Sequence, residues 1–216
     1  MKRRALLAGA AGIAAVGVSG CLGVVGLDEH EASPAGVDPA VREETGYEQV
    51  DVEEIVVERS FEIAGITEEI TVTNYLTEHE KGIDLGPIGT VQAGAFMVLT
   101  SPQISIAGRE LNPIADMSSE ELVGMIEADY DAISDVEHVS DEETTVLERE
   151  TTESLFEGEA SFNGATVDIN VHITESVETT NDHLVTIGVY PKLVQRIEAD
   201  NIDALQNGIV EAIERS

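Results

Sequence analysis

Residues 154 to 173, with the sequence SLFEGEASFNGATVDINVHI, decide the fold. The Asn-Gly pair at positions 163 and 164 separates two strand-like runs, and it is the strongest short-range signal for a two-residue hairpin turn. After this turn, apolar side chains occupy every second position, which predicts a strand with one buried face. The opposite face carries His172, and we therefore expect that histidine to face solvent. The buried set is Val167, Ile169, Val171 and Ile173.

Further strands and helices are predicted on either side of this hairpin. Apolar runs at 93–99 and 184–190 indicate buried strands, and an earlier hairpin turns at 64–67. Three helices are predicted from their end signals: one between Asp38-Pro39 and Gly46, one from Ser118 in capping-box spacing with Glu121, and one from about 200 to 215. This pattern predicts an α+β fold, an antiparallel sheet of six or more strands with helices packed on it as an α/β/α sandwich.

The two halves of the chain repeat some short patterns. Pro102 and Asn112 are ten positions apart, and so are Pro191 and Asn201. The segments that begin at Gly124 and Gly208 also have similar sequences. These matches suggest a duplicated hairpin-strand-helix unit, and chance matching of common residues is the alternative.

The N-terminus predicts export and lipid attachment. Arg3 and Arg4 precede a weakly hydrophobic stretch that ends in Val-Ser-Gly-Cys at 18–21, a pattern typical of a twin-arginine signal followed by a lipobox. We therefore predict a signal at 1–20, a lipidated Cys21 with a tether over 21–37, and a single domain at 38–216. The alternatives are a plain secretory signal with a free cysteine, and an uncleaved membrane helix over the uncharged residues 5–27.

The net charge of the chain predicts the salt concentration in which the protein folds. The chain has 11 Lys and Arg residues against 43 Asp and Glu residues, a net charge of -32. Cleavage after residue 20 removes three of these bases and no acid, which leaves 8 basic side chains and a charge of -35. Such a surface repels itself in dilute buffer and is screened in molar salt. The composition excludes a basic nucleic-acid binder and favours a halophilic extracytoplasmic protein.

Candidate ligands and catalytic groups do not form a recognisable motif. Nucleophile-elbow and phosphate-loop patterns are absent from the sequence, and the one cysteine belongs to the lipobox. His79 and His138 stand beside carboxylates that are expected to raise their pKa, without a second histidine at ligand spacing. We predict no catalytic residue, metal or cofactor. The segment from Lys81 through Pro87 to Val91 is the candidate ligand loop.

Several motifs resemble a known family. They are Arg3-Arg4, Val18-Ser19-Gly20-Cys21, Thr45-Gly46-Tyr47, Ser101-Pro102, Asn112-Pro113 and Tyr190-Pro191. Together they resemble an uncharacterised family of haloarchaeal twin-arginine lipoproteins, defined as a domain of unknown function. The order of strands and helices is similar to the PsbP/Mog1-like sandwich, whose members mostly bind or assemble other proteins; this analogy transfers no site.

These observations favour a non-enzymatic, lipid-anchored domain on the outer face of the cell membrane. We expect it to bind a protein partner or to assist a membrane complex. A small-molecule or ion-binding lipoprotein is the first alternative, and it requires a cavity at the candidate ligand loop. A hydrolase with an unrecognised site is the second, and it requires a cleft with a histidine-carboxylate pair.

Overall fold

The computed structural model describes residues 29–63, 66–106, 109–110, 117–129, 133–162 and 164–213. The predicted signal with Arg3 and Arg4, the lipidation site Cys21, and Asn163 of the decisive turn lie outside the described residues. Within these ranges, we find no helix with the length and apolar character needed to cross a membrane.

Thirteen strands and three α-helices are present in the described ranges, together with the 3₁₀ turns Gly86–Ile88 and Lys192–Val194. The strands are β1 (Glu29–Glu31), β2 (Gly36–Val37), β3 (Glu48–Ile63), β4 (Ile66–Asp84), β5 (Thr90–Pro102), β6 (Ser105–Ile106), β7 (Arg109–Glu110), β8 (Ile133–Val146), β9 (Arg149–Phe162), β10 (Ala165–Thr174), β11 (Val177–Glu178), β12 (Asp182–Pro191) and β13 (Ile209–Val210). The helices are α1 (Pro39–Thr45), α2 (Ser119–Asp129) and α3 (Gln195–Asn207).

Nine strands form one sheet, and its main order is β3, β4, β5, β12, β10, β9 and β8. These neighbours are antiparallel, and β9 and β10 form the predicted hairpin. β11 pairs with β12. β1 runs parallel to β4, so the sheet is mixed and not purely antiparallel as predicted.

Alternation along the central strands gives the sheet two buried faces. Phe96 and Val98 of β5 pack in one core cluster with Ile202 of α3, and Met97 packs in another with Leu122 of α2. The helices of 7, 11 and 13 residues are short beside a nine-stranded sheet. The domain is therefore sheet-rich. The few short helices in the described ranges do not form the distinct helical layers of the predicted α/β/α sandwich.

The first described residues belong to the folded domain. β1 pairs with β4, and Val37 of β2 pairs with Ile209 of β13, which joins the two ends of the domain. Ala32 and Ala35 are buried. Within the range 21–37 predicted as the tether, the residues from Glu29 onward are thus paired with or packed against the rest of the described fold.

The helix predictions succeed where a cap is encoded locally. Asp38 caps α1, Gly46 ends it in the left-handed region, and Ser118 and Glu121 cap each other's backbone at α2. The prediction for α3 was wrong by about five residues at its start and eight at its end. Gly208 stops this helix, and the residues that follow it form β13.

The suggested duplication has no structural counterpart at its matched segments. Gly124 lies inside α2, whereas Gly208 follows the end of α3 and leads into β13. The two similar sequences therefore adopt different structures.

Candidate functional site

The outer surface of the last helix exposes two large apolar side chains. Leu193, in the 3₁₀ turn before α3, is 78% exposed, and Ile197, in the first turn of α3, is 63% exposed. Residues four positions apart are neighbours on a helical surface. Single exposed apolar residues are ordinary, whereas adjacent ones mark candidate interaction sites.

Two basic side chains lie beside these apolar residues. Lys192 and Arg196 are exposed and have the same spacing as Leu193 and Ile197. Lys192 Nζ lies 2.5 Å from Glu157 Oε1 on β9, and both side chains of this pair are about two-fifths exposed. Arg196 makes no ion pair within the described part of the chain. We call Lys192, Leu193, Arg196 and Ile197 the α3 patch.

The inner surface of α3 is packed closely on the sheet. Ile202 and Leu205 are fully buried, and both belong to the core cluster of Phe96 and Val98. Gly188 of β12 lies directly beneath Ile202: a Cβ atom at Gly188 would lie 2.8 Å from Ile202 Cδ1. The glycine thus allows the helix to approach the sheet.

A buried polar cluster fixes the N-terminal half of α3. The Glu198 carboxylate accepts hydrogen bonds from Lys81 Nζ at 2.8 Å, from the Tyr47 hydroxyl at 3.1 Å and from Asn201 Nδ2 at 3.1 Å. Burial, followed by the nearby Glu198 charge, raises the pKa of Tyr47 well above its usual range. The phenol therefore stays protonated and donates to the carboxylate.

A second polar cluster lies beneath the C-terminal half of α3, and it corrects the prediction for His172. His172 is buried, its Nδ1 atom lies 2.7 Å from Glu153 Oε1, and its Nε2 atom lies 2.8 Å from the Tyr190 hydroxyl. Gln206 of α3 donates to the other Glu153 oxygen. The prediction of a solvent-facing polar side holds for the exposed Asp168 but is wrong for Asn170 and His172, which are buried on the side of the sheet that carries α3. The hydrogen bonds of this cluster hold α3 against β9, β10 and β12, which is a structural role.

Two further histidines, His79 and His138, also have defined surroundings. His79 is fully buried, and burial lowers its pKa to about 4, which corrects the predicted rise. His138 lies 2.7 Å from Asp141, and this hydrogen bond is the main cause that lowers the pKa of Asp141. In the described ranges, we find no group of three His, Cys, Asp or Glu side chains placed to hold a metal ion.

The candidate ligand loop is largely a strand hairpin. β4 continues from Lys81 to Asp84, a 3₁₀ turn contains Pro87, and Val91 belongs to β5. Lys81 and Val91 border an open depression of about 430 Å³, and Pro87 is not among its lining residues. Lys81 is also engaged by Glu198, so its charge is already compensated.

A smaller apolar groove lies on the sheet face that carries α2. It has a volume of about 190 Å³, and its floor includes Ala95, Met97, Val189 and Phe162. Glu80 contributes a carboxylate-bearing side chain to its lining. The volume of the groove is below the roughly 300–1,000 Å³ of typical ligand pockets, so it fits only a small molecule.

The α3 patch was not predicted from the sequence. A usable signal was present, because Leu193 and Ile197 repeat at helical spacing on the side opposite Ile202 and Leu205. It was not recognised because the helix was predicted to begin after them.

The fold and the patch together define a sheet-rich domain that displays an apolar and basic surface on one firmly seated helix. Residues 34–210 match the family described as a domain of unknown function (DUF6517). The chain belongs to this family, which agrees with the predicted membership in a domain of unknown function. No curated protein matches the chain.

Proposed function

We propose that this protein is a non-enzymatic binding domain that docks a protein partner on the α3 patch. The observation that carries the proposal is the exposure of Leu193 and Ile197 as neighbours on a helix whose opposite side is fixed to the sheet. A surface of this kind meets a partner without rearrangement, which lowers the cost of binding.

The binding free energy available from Leu193 and Ile197 is modest. Complete burial of a leucine or isoleucine side chain contributes roughly 1.5–3 kcal/mol. Two such anchors do not by themselves give a tight complex, since association has its own cost in lost motion. They act as energetic centres within a larger contact.

We further propose that the domain acts on the outer face of a membrane, after export by the twin-arginine route and lipidation of Cys21. The proposal is supported by Arg3-Arg4 and the Val-Ser-Gly-Cys segment, together with the acidic composition that suits concentrated salt. The resemblance to PsbP/Mog1-like proteins supports the partner-binding role by analogy only. Mass analysis of the Cys21 peptide from the natural host tests the anchor, because an unmodified peptide contradicts it.

The docking proposal is tested by affinity purification of the full chain from its natural host in molar salt. We expect one stoichiometric protein to co-purify with the natural sequence and to be lost from a Leu193→Ser, Ile197→Ser variant. The matched control is Val56→Ser, since Val56 on β3 is also about half exposed, at 53%. Equal retention by all three proteins would contradict a role for the α3 patch.

A small-molecule carrier is the second candidate function. It is favoured by the apolar groove of about 190 Å³ on the opposite face of the sheet. The same purification tests it, because mass analysis of the retained fraction detects a bound small molecule. A retained small molecule without a protein partner would favour this candidate over docking.

A further inference from the structure

We infer that the α3 patch receives an acidic segment of the partner protein, one that carries apolar side chains between or beside its carboxylates. This inference rests on the proposed function and specifies its partner. It is carried by the charge of the α3 patch, an observation separate from the exposure of its apolar residues.

Basic residues are scarce in this chain, and two of them belong to the α3 patch. Residues 21–216 contain 8 Lys and Arg residues among 43 acids, and two of these eight, Lys192 and Arg196, flank Leu193 and Ile197. Opposite charges at an interface select the partner and fix its register. The exposed Arg196 guanidinium, which has no ion pair in the described ranges, therefore favours a partner segment that supplies a carboxylate.

Arg196 is the better placed of the two bases. Lys192 already contacts Glu157, whereas Arg196 has no ion pair in the described ranges. Asp200 is four positions further along the same helix and is the nearest acid in sequence on the outer surface. A guanidinium group holds a carboxylate through two parallel hydrogen bonds, and burial of this pair against Leu193 and Ile197 protects it from salt screening.

Two other occupants are disfavoured by the same charges. A symmetric contact between two copies would bring Arg196 and Lys192 towards the same bases of the second copy, and like charges at an interface are costly. An anionic membrane would approach the whole domain, whose net charge after cleavage is -35, and not the patch alone.

The test is site-specific photo-crosslinking in the natural host. We would place p-benzoyl-phenylalanine at position 200, beside the patch, and in a second protein at position 139, where the exposed Val139 lies on β8. We expect the probe at position 200 to label one protein, on a peptide with more Asp and Glu than Lys and Arg and with apolar residues. The probe at position 139 should not label that peptide.

Charge variants then test the role of Arg196. We expect Arg196→Glu to reduce the adduct about tenfold or more, as expected for loss of a close charge pair, and Arg196→Lys to retain most of it. Replacement of one labelled acid in the partner by Lys should restore the adduct with Arg196→Glu. Restoration would exclude simple misfolding of the variant.

The outcomes separate this inference from the proposed function. A protein adduct on a basic or neutral peptide, or one insensitive to Arg196→Glu, overturns the acidic-segment inference and leaves docking intact. A lipid adduct, an adduct with a second copy of this chain, or no specific adduct at position 200 overturns both.

Discussion

His79 shows how a single residue ties the ends of the domain to its core. Val37 N–H donates to Nε2 of His79 at 3.4 Å, and Nδ1 lies 3.0 Å from the Phe96 carbonyl oxygen. Because Nε2 accepts a hydrogen bond from Val37, the imidazole ring must be neutral, and Nδ1 must carry the proton and donate. Val37 belongs to β2, which pairs with β13, so protonation of His79 opposes a contact that joins the first and last strand pairs of the described domain.

We predict that His79 weakens the fold as the pH falls. Its pKa is lowered from 6.5 to about 4 by burial, so the unfolded chain binds the proton first. Its contribution is complete above pH 6.5 and is lost as the pH falls from 6.5 to about 4, on the order of 3 kcal/mol in the free energy of unfolding.

Denaturant unfolding at pH 7 and pH 4, in constant molar salt, measures this loss in the natural protein and in His79→Gln. Glutamine offers a donor and an acceptor without titrating. The carboxylates titrate in both proteins, so only the difference between them reports His79. A difference that does not change with pH would contradict the predicted protonation.

At the scale of one element, α3 depends on the absence of a side chain beneath it. Gly188 lies under Ile202, whose Cδ1, Cγ2 and Cγ1 atoms would lie 2.8, 3.1 and 3.2 Å from a Cβ atom at that position. Ile202 is fully buried and branched at Cβ, so it has little freedom to move aside. The seat of α3, and with it the α3 patch, is therefore sensitive to one added methyl group.

We predict that Gly188→Ala destabilises the protein by roughly 1–3 kcal/mol through overpacking. Ile202→Val alone should cost about 0.5–1.5 kcal/mol. Because valine lacks the nearest atom, Cδ1, the double variant should be more stable than the sum of the two single effects indicates. Denaturant unfolding of the four proteins measures the coupling, and strict additivity would mean that α3 does not rest on Gly188.

The elements that the sequence predicted correctly have signals within a few residues. α1 has an Asp-Pro start and a Gly46 stop, and α2 has its capping box, so both were placed well. α3 follows a 3₁₀ turn, and its N-cap residue Val194 makes no side-chain cap, so its start has no local signal.

The failures at β8 and β10 have different causes. β8 was missed as a long strand because two register shifts interrupt its alternation and most of its side chains are exposed. His172 was placed on the solvent side because alternation does not reveal that both faces of β10 are buried over its last six residues. The α3 patch was missed for a related reason, since an apolar residue looks the same in sequence whether it is buried or exposed.

At the scale of the whole molecule, like charges lie opposite each other on neighbouring strands. Direct cross-strand pairs of this kind are destabilising, in addition to the general repulsion of a strongly charged surface. They occur at both edges of the sheet and between β9 and β10, one strand in from the β8 edge. The pairs are Glu48 with Glu80, Asp51 with Glu78, Glu137 with Glu157, Glu142 with Glu153, and Asp168 with Glu159.

We predict that a chain beginning at Glu29 unfolds when KCl is lowered from molar concentration to about 0.1 M, because the Debye length grows from about 3 Å to about 10 Å. Circular dichroism against KCl concentration gives the midpoint. Two triple variants separate the causes. The paired variant is Glu48→Gln, Asp51→Asn, Asp168→Asn, and the matched control is Glu53→Gln, Glu58→Gln, Glu150→Gln, whose acids face Leu76, Thr71 and Thr145.

Both variants remove three exposed charges, so net charge alone would lower their salt midpoints equally. We expect the paired variant to fold at a lower KCl concentration than the control, because it also removes the short-range repulsion between opposed carboxylates. Equal shifts would assign the salt requirement to net charge alone. A domain that keeps its full stability at about 0.1 M salt would contradict the predicted adaptation to concentrated salt, since the repulsion of so many carboxylates is then largely unscreened at contact distances.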